Sequence, residues 1–178
     1  MKLAKSLDRL GTETAFSVLA EAKKLEAKGK PMIHLGLGQP DFKTPKHIVD
    51  AAKKALDDGH HGYVLSNGIL ECRQAVTRKI KKLYNQDIDP ERIIIMPGGK
   101  PTMSYAIQCF GEPGVEIVHP TPAFPIYESM INFTGAKPVP YDLTEDKDLK
   151  FNPEKILSLI TEKTKLLILI NPNNPTGS

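Results

Sequence analysis

The stretch that decides the fold occupies residues 165–178 and reads Lys-Leu-Leu-Ile-Leu-Ile-Asn-Pro-Asn-Asn-Pro-Thr-Gly-Ser. The apolar run 165–170 predicts a short strand buried on both faces, as in a parallel sheet. The strand should stop abruptly, because each proline fixes its own φ and keeps the preceding asparagine out of the α region. Ligands of open α/β sheets bind at the carboxyl ends of strands, so the polar residues 171–178 indicate a ligand site. The alternative is a polar turn that only ends a strand, and a single Asn-Pro step would favour it.

Length and composition are those of one soluble domain with a real core. The 178 residues are 40% hydrophobic and 25% charged. A net charge of +3 is too small and too dispersed to predict a nucleic-acid or membrane partner. The sequence has no apolar run of membrane-spanning length and no signal peptide at its start. Cys72 and Cys109 are predicted to be buried free thiols in a reducing compartment, which makes a cytoplasmic location the default.

Elsewhere, alternating strand and helix patterns predict the architecture. Strands are expected at 32–35, 92–96, 115–118 and 137–142, the last at a sheet edge because it contains Pro138 and Pro140. Helices are expected to begin near Thr14, Thr44-Pro45, Ser66-Asn67-Gly68, Pro101, Tyr127 and Asn152-Pro153. Alternation from residue 92 onward predicts a three-layer α/β/α domain with a mostly parallel sheet. Residues 144–150 are expected to form a solvated charged loop.

A second candidate site is the turn Pro97-Gly98-Gly99-Lys100-Pro101, which precedes a helix. Free N–H groups and the positive end of the helix dipole favour an anion there, and two glycines allow the backbone to approach it closely. The nucleoside-triphosphate loop motif is absent. On these residues alone an empty strand–helix turn is about as plausible as a phosphate site. The adjacent His60 and His61 lie in a turn and are predicted to be a solvated pair, so no metal site is predicted.

The motif Asn-Pro-Asn-Asn-Pro-Thr-Gly at 171–177 resembles the signature of fold-type I pyridoxal-phosphate-dependent aminotransferases, the class I/II or aspartate aminotransferase family. The resemblance implies pyridoxal 5'-phosphate as cofactor. Asn174 would donate a hydrogen bond to its phenolic oxygen, and Phe124 would stack on its pyridine ring. The phosphate would be held by backbone N–H groups of Gly98, Gly99 and Lys100. The resemblance also implies cis peptide bonds at Thr121-Pro122 and Asn174-Pro175.

The same resemblance extends to substrate and assembly. Gly38, in the stretch Gly-Gln-Pro-Asp-Phe, would expose backbone to the substrate's carboxylate. Tyr63 would reach across a homodimer interface to the other subunit's phosphate. Residues 1–43 would form an N-terminal arm and a segment of the small domain, and 44–178 the first, incomplete part of the large cofactor-binding domain. The implied substrates are an α-amino acid and a 2-oxo acid.

Family members supply the Schiff-base lysine, the carboxylate at the pyridine nitrogen and the substrate-binding arginine after the Asn-Pro-Thr-Gly motif. No catalytic residue is therefore predicted in these 178 residues, which correspond to about the first half of such an enzyme. The alternative is a non-catalytic binding or regulatory fragment that keeps part of the cofactor cradle. The coding sequence beyond Ser178 distinguishes the two hypotheses. A nucleotide-binding Rossmann domain is disfavoured, because its glycine fingerprint and acidic ribose partner are missing.

We expect residues 1–178 on their own to be poorly stable and to lack transaminase activity. The reason is that the strand ending at Asn171 would have two open edges with unpaired backbone groups, and the amine that shuttles protons would be absent. The measurement is an amino-transfer assay on the purified 178-residue chain with added pyridoxal phosphate. Recovering measurable turnover would refute this expectation.

Overall fold

The computed structural model of the protein describes residues 2–11, 14–143 and 148–178. The chain divides into two compact units, one made of Met1–His34 with Gly98–Ser178 and the other of Leu35–Pro97. The sheet and its covering helices belong to the first unit. The predicted division at residues 43 and 44 concerns the domains of a complete enzyme and stays a prediction.

The six predicted helices are all present in the described residues. They are α1 (Thr14–Glu26), α2 (Lys46–Asp57), α3 (Leu70–Tyr84), α4 (Gly99–Phe110), α5 (Ile126–Thr134) and α6 (Pro153–Leu159). The strands are β1 (Glu116–Thr121), β2 (Lys137–Asp142) and β3 (Thr164–Leu167), and two short 3-10 helices span Lys5–Arg9 and Pro90–Arg92.

The three strands form a parallel sheet in the order β2-β1-β3. The β1–β2 ladder runs from the pair Glu116–Lys137 to the pair Thr121–Asp142. β2 lies at an edge, as its prolines predict, since an edge strand can spare the N–H groups that proline lacks. The parallel sheet expected from the sequence is confirmed.

Helices cover both faces of this sheet. Because side chains of a strand alternate between faces, the neighbours Ile117 and Val118 of β1 enter different cores. Ile117 packs with Ile107 of α4 and Ile131 of α5, whereas Val118 joins a cluster with Ile156 of α6. The three-layer α/β/α arrangement is therefore confirmed.

Two predicted strands are wrong. Neither 32–35 nor 92–96 forms a strand, because no described residue pairs with either segment in a ladder. Ile33 and Ile94 are 86% and 64% exposed, and the backbone N–H of Ile95 bonds only the single carbonyl of Asn67. β-branched composition favours extended backbone, but a strand also needs a partner.

The final strand differs from its prediction in length and burial. β3 ends at Leu167, and its residues alternate between half-buried and exposed instead of being buried on both faces. Leu169, just beyond it, is 54% exposed. The expectation of two open edges is also wrong, because β1 pairs along one side of β3.

Some local predictions also need correction. α2 begins at Lys46 after Pro45 without a side-chain cap, so Thr44 does not cap it. The Asn152 cap is confirmed, since its side-chain oxygen accepts from the N–H of Glu154 at 2.9 Å. The thiols are free, but Cys109 is exposed and Cys72 only half-buried. Residues 144–147 of the predicted charged loop lie outside the described residues.

In the unit Leu35–Pro97, a buried arginine ties two segments together. Arg73 of α3 is 1% exposed and donates to the carbonyls of Gly68 (3.1 Å) and Pro90 (3.0 Å). It also pairs with a carboxylate oxygen of Glu91 at 2.7 Å. The start of α3 and the 3-10 helix at residue 90 are thus fixed to each other, and the buried charge has the partners that it requires.

β1 carries a titratable group into the core of the sheet unit. His119 is 4% exposed, and its Nδ1 lies 3.1 Å from the carbonyl oxygen of Pro120. Burial lowers the pKa of His119, against smaller opposing effects of the Pro120 hydrogen bond and the charge of Glu128. The folded state therefore favours the neutral imidazole.

The pKa of His119 is lower in the folded than in the unfolded state, so the unfolded chain takes up the proton at a higher pH. The free energy of unfolding is therefore largest above the unfolded pKa, and part of it is lost as the pH falls through the lower folded pKa. We expect the free energy of unfolding to drop below about pH 6.5, and His119→Gln to flatten this drop by at most about 1.4 kcal/mol per pH unit. Urea unfolding at several pH values measures how the free energy of unfolding changes with pH. The same change at exposed His47 controls for the loss of one histidine, and equal slopes in both variants would contradict the prediction.

Candidate functional site

The strand pairing brings two of the predicted site segments to one edge of the sheet. Phe124 follows the carboxyl end of β1, and Asn174 follows β3, which pairs with β1 in the parallel sense. Backbone bonding continues past β3, since the N–H of Ile168 donates to the carbonyl of Val118 at 2.8 Å. Both segments therefore leave the sheet at the edge where open α/β proteins bind ligands.

The amino end of α4 supplies a third element. Gly98 stands immediately before the helix with φ 97° and ψ 167°, a conformation that essentially only glycine adopts. No side chain caps this end, and a Cβ on Gly98 would meet no atom within 4 Å. The first helical residue is Gly99, so the prediction that Pro101 occupies this position is wrong. Pro101 still lies in the first turn, where a missing N–H removes no helix hydrogen bond.

Lys100 connects this helix end to the turn after β1. Its side-chain Nζ lies over the ring of Phe124, 5.7 Å from the centroid. The same ammonium lies 5.3 Å from the ring centroid of Phe16, in α1. The geometry thus adds a cationic side chain to the backbone donors that the resemblance implies. No sequence pattern singles out Phe16, which fits an ordinary apolar helix stripe and meets Lys100 only through the tertiary fold.

The turn after β3 is organised by Asn173. This residue is 6% exposed, and its Oδ1 accepts from the N–H of Thr176 at 3.2 Å and from its hydroxyl at 3.0 Å. Its backbone is bonded in both directions, from its own N–H to the carbonyl of Ser178 and from the N–H of Gly177 to its carbonyl. Asn173 therefore shapes the turn that carries Asn174.

Asn174 itself is exposed, so its carboxamide is accessible. The side-chain nitrogen of Asn173, in contrast, is buried and has no acceptor among the described residues. Sequence reasoning selects Asn174 and misses Asn173, because the doubled asparagine does not reveal which of the two points inward. The predicted cis bonds at Thr121-Pro122 and Asn174-Pro175 are both confirmed, and Asn171-Pro172 is also cis.

A cavity of about 330 Å³ lies beside this turn. Its walls are mostly apolar and include Tyr141, Leu149, Phe151 and Ile170, together with Asn173. The Ser178 hydroxyl donates to the carbonyl of Leu149 at 2.9 Å and so fixes the end of the turn at the cavity rim.

The two remaining candidate residues belong to the unit Leu35–Pro97. Tyr63 is fully exposed, and Gly38 is exposed with open space within 4 Å of the position that a Cβ would occupy. Both are accessible, as a ligand contact requires, and their roles stay predictions. Within the described ranges no cluster of three or more His, Cys, Asp or Glu side chains lies together, and none of the helices is long and apolar enough to cross a membrane.

A family model described as aminotransferase class I and II matches residues 30–178. The chain belongs to this family. It is 37% identical over 177 residues to an aspartate aminotransferase of Bacillus subtilis, a match covering 99% of this chain and 45% of that protein. It is 38% identical over 175 residues to the (5-formylfuran-3-yl)methyl phosphate transaminase of Methanocaldococcus jannaschii, with 98% and 45% covered.

Solved structures agree with this assignment. An alanine aminotransferase from Pyrococcus furiosus has a TM-score of 0.93 and 33% identity, covering 99% of this chain and 46% of that one. An aspartate aminotransferase from Thermus thermophilus with maleate has a TM-score of 0.91 and 30% identity, covering 98% and 46%. The chain spans slightly less than half the length of these relatives.

We expect Gly98→Ala to lower the free energy of unfolding by about 1–3 kcal/mol, because alanine is strained at this φ and ψ although its methyl group has room. Gly36→Ala is the matched control, since Gly36 also has open space but no positive φ. Urea unfolding of both variants measures the difference. Equal stability of the two variants would show that the backbone of Gly98 is not held in this conformation.

Proposed function

We propose that this chain is the N-terminal part of a pyridoxal-phosphate-dependent aminotransferase that transfers an amino group between an α-amino acid and a 2-oxo acid. The observation that carries the proposal is the position of the Lys100 ammonium over the ring of Phe124. Lys100 thereby connects the amino end of α4, which suits a phosphate, with the Phe124 ring, which suits a planar cofactor. Asn174 follows the neighbouring strand at the same sheet edge.

The residues present fit the proposed cofactor. The open backbone at Gly98, the positive end of α4 and the Lys100 ammonium suit a phosphate dianion. The half-buried Phe124 ring offers a flat apolar face for a pyridine ring. The turn at residues 173–174 presents the accessible Asn174 carboxamide, whose N–H groups suit an oxygen acceptor.

Each residue then has a distinct role. Gly98, Gly99 and Lys100 would bind the phosphate, Phe124 would restrict the tilt of the ring, and Asn174 would stabilise the ionised phenolic oxygen. When bound, pyridoxal phosphate supplies the electron sink and the carbonyl carbon that carries the amino group between the two half-reactions. The accessible backbone of Gly38 would receive the substrate's carboxylate.

The complete enzyme needs more than these 178 residues. A lysine that holds the cofactor, a carboxylate for its ring nitrogen and a substrate-binding arginine are proposed to lie in the portion that the relatives have in addition. We place residues 1–43 in an arm with a small-domain segment and residues 44–178 in the large domain. The fully exposed Tyr63 supports a homodimer in which it serves the other subunit. The free thiols of Cys72 and Cys109 are compatible with the cytoplasm.

The substrate class is an amino acid with its 2-oxo acid partner. The relatives are named for aspartate, for alanine and for a phosphorylated aldehyde. Their names therefore support amino transfer as the common reaction, whereas the substrates after which they are named differ.

The proposal is tested on the complete protein that contains this chain. Its absorption spectrum is recorded with pyridoxal phosphate before and after borohydride, and amino transfer is assayed with aspartate or alanine and 2-oxoglutarate. A visible cofactor band that borohydride abolishes, with the cofactor fixed covalently and turnover of at least one amino acid, is expected. Cofactor binding without turnover would favour the binding or regulatory fragment, and no binding would contradict both.

We expect Asn174→Ala to raise the apparent pKa of the bound cofactor's absorbance titration by about one to two units, because a hydrogen bond to a charged acceptor contributes roughly 1.5–3 kcal/mol. Gln108→Ala is the control, since it removes an exposed carboxamide from α4. The absorbance of both variants is followed against pH. An unchanged curve for Asn174→Ala would contradict its assignment.

A further inference from the structure

The position of Phe16 in α1 is not accounted for by packing in the core. It is 53% exposed and belongs to neither of the two buried clusters of the sheet unit. Its ring nevertheless has the Lys100 ammonium over its face at 5.3 Å. A phenyl ring that is half exposed stabilises the fold little by burial, so this contact with a cation is its distinctive feature.

The position of Lys100 gives that contact a consequence. Its backbone is in the first turn of α4, beside Gly98, and its ammonium also lies over Phe124 at 5.7 Å. A lysine side chain on its own samples many rotamers, and fixing it costs conformational entropy when an anion binds. A cation already held by ring faces loses less of that freedom, because the contacts restrict it before the anion arrives.

Two features of α4 carry positive charge. The amino end of α4 has the positive end of the helix dipole and no side-chain cap. Lys100, whose backbone lies in the same turn, carries a positively charged ammonium. A group that keeps this ammonium in place therefore raises the affinity for a dianion and has no direct effect on an uncharged ligand.

We propose that Phe16 is a positioning residue of the cofactor site: it holds the Lys100 side chain at the amino end of α4 and so strengthens binding of the phosphate group. The inference rests on the proposed function. It makes α1 part of the site and gives the Lys100 side chain, in addition to its backbone N–H, a role in recognition of the phosphate. Phe16 acts through Lys100 and needs no contact with the cofactor.

The test measures binding in the complete protein with two ligands, pyridoxal 5'-phosphate and pyridoxal, which differ only in the phosphate. Phe16→Leu keeps an apolar side chain but removes the ring, whereas Phe16→Trp keeps a ring face. Phe110→Leu is the matched control, because Phe110 is 51% exposed and lies at the other end of α4. Each change is also made in a Lys100→Met background, and dissociation constants are measured by equilibrium dialysis.

We expect Phe16→Leu to weaken pyridoxal phosphate binding about two- to fivefold and to leave pyridoxal binding unchanged. Phe16→Trp and Phe110→Leu should keep the original affinity, and Phe16→Leu should have no further effect in the Lys100→Met background. Equal weakening of both ligands, or an effect that persists without Lys100, would overturn the inference. If Phe16→Leu does not fold, Phe16→Met, which also removes the ring, is measured in its place, and the same outcomes support or overturn the inference. A parent protein that binds neither ligand would instead contradict the proposed function.

Discussion

Parallel pairing of β1 with its two neighbours is the constraint on which the rest of the site depends. The ladder aligns β1 with β2 over six residues and with β3 over three, so the segments that follow β1 and β3 emerge at one edge. An antiparallel β3 would place the turn of Asn174 at the opposite edge from Phe124. The direction of the backbone hydrogen bonds therefore decides whether the asparagine turn and the aromatic residue can serve one ligand.

Around that edge and in the rest of the fold, the polar groups fall into two classes. Asn173, Arg73 and His119 are buried and contact backbone segments, whereas Asn174, Lys100 and the backbone of Gly98 remain accessible. Asn173 is the clearest case, because its oxygen is used within its own turn while the next residue presents its carboxamide. A buried residue that fixes a turn next to an accessible donor is a common way to pre-organise a binding group.

Much of this organisation could be predicted from sequence, and the failures have physical causes. The candidate turns follow strands or begin a helix, and such positions are encoded by local Gly, Pro and Asn residues. Strands at 32–35 and 92–96 are predicted wrongly because composition does not supply a pairing partner. The apolar run of β3 predicts burial on both faces, but apolar composition does not reveal which elements cover each face, and the residues of β3 alternate between half-buried and exposed. Phe16 escapes prediction because its contact with Lys100 is long-range and forms only in the folded chain. Asn173 escapes prediction because the sequence does not reveal which of two adjacent asparagines points inward.

The central claim is that the amino end of α4, the turn after β1 and the turn after β3 hold one phosphorylated planar ring. A crystal structure of the complete protein with pyridoxal 5'-phosphate tests it most directly. We expect the phosphate at the backbone of Gly98–Lys100, the ring against Phe124 and the phenolic oxygen within hydrogen-bond distance of the Asn174 carboxamide. A cofactor bound elsewhere, or one that touches Phe124 with Asn174 directed away from it, would contradict the account.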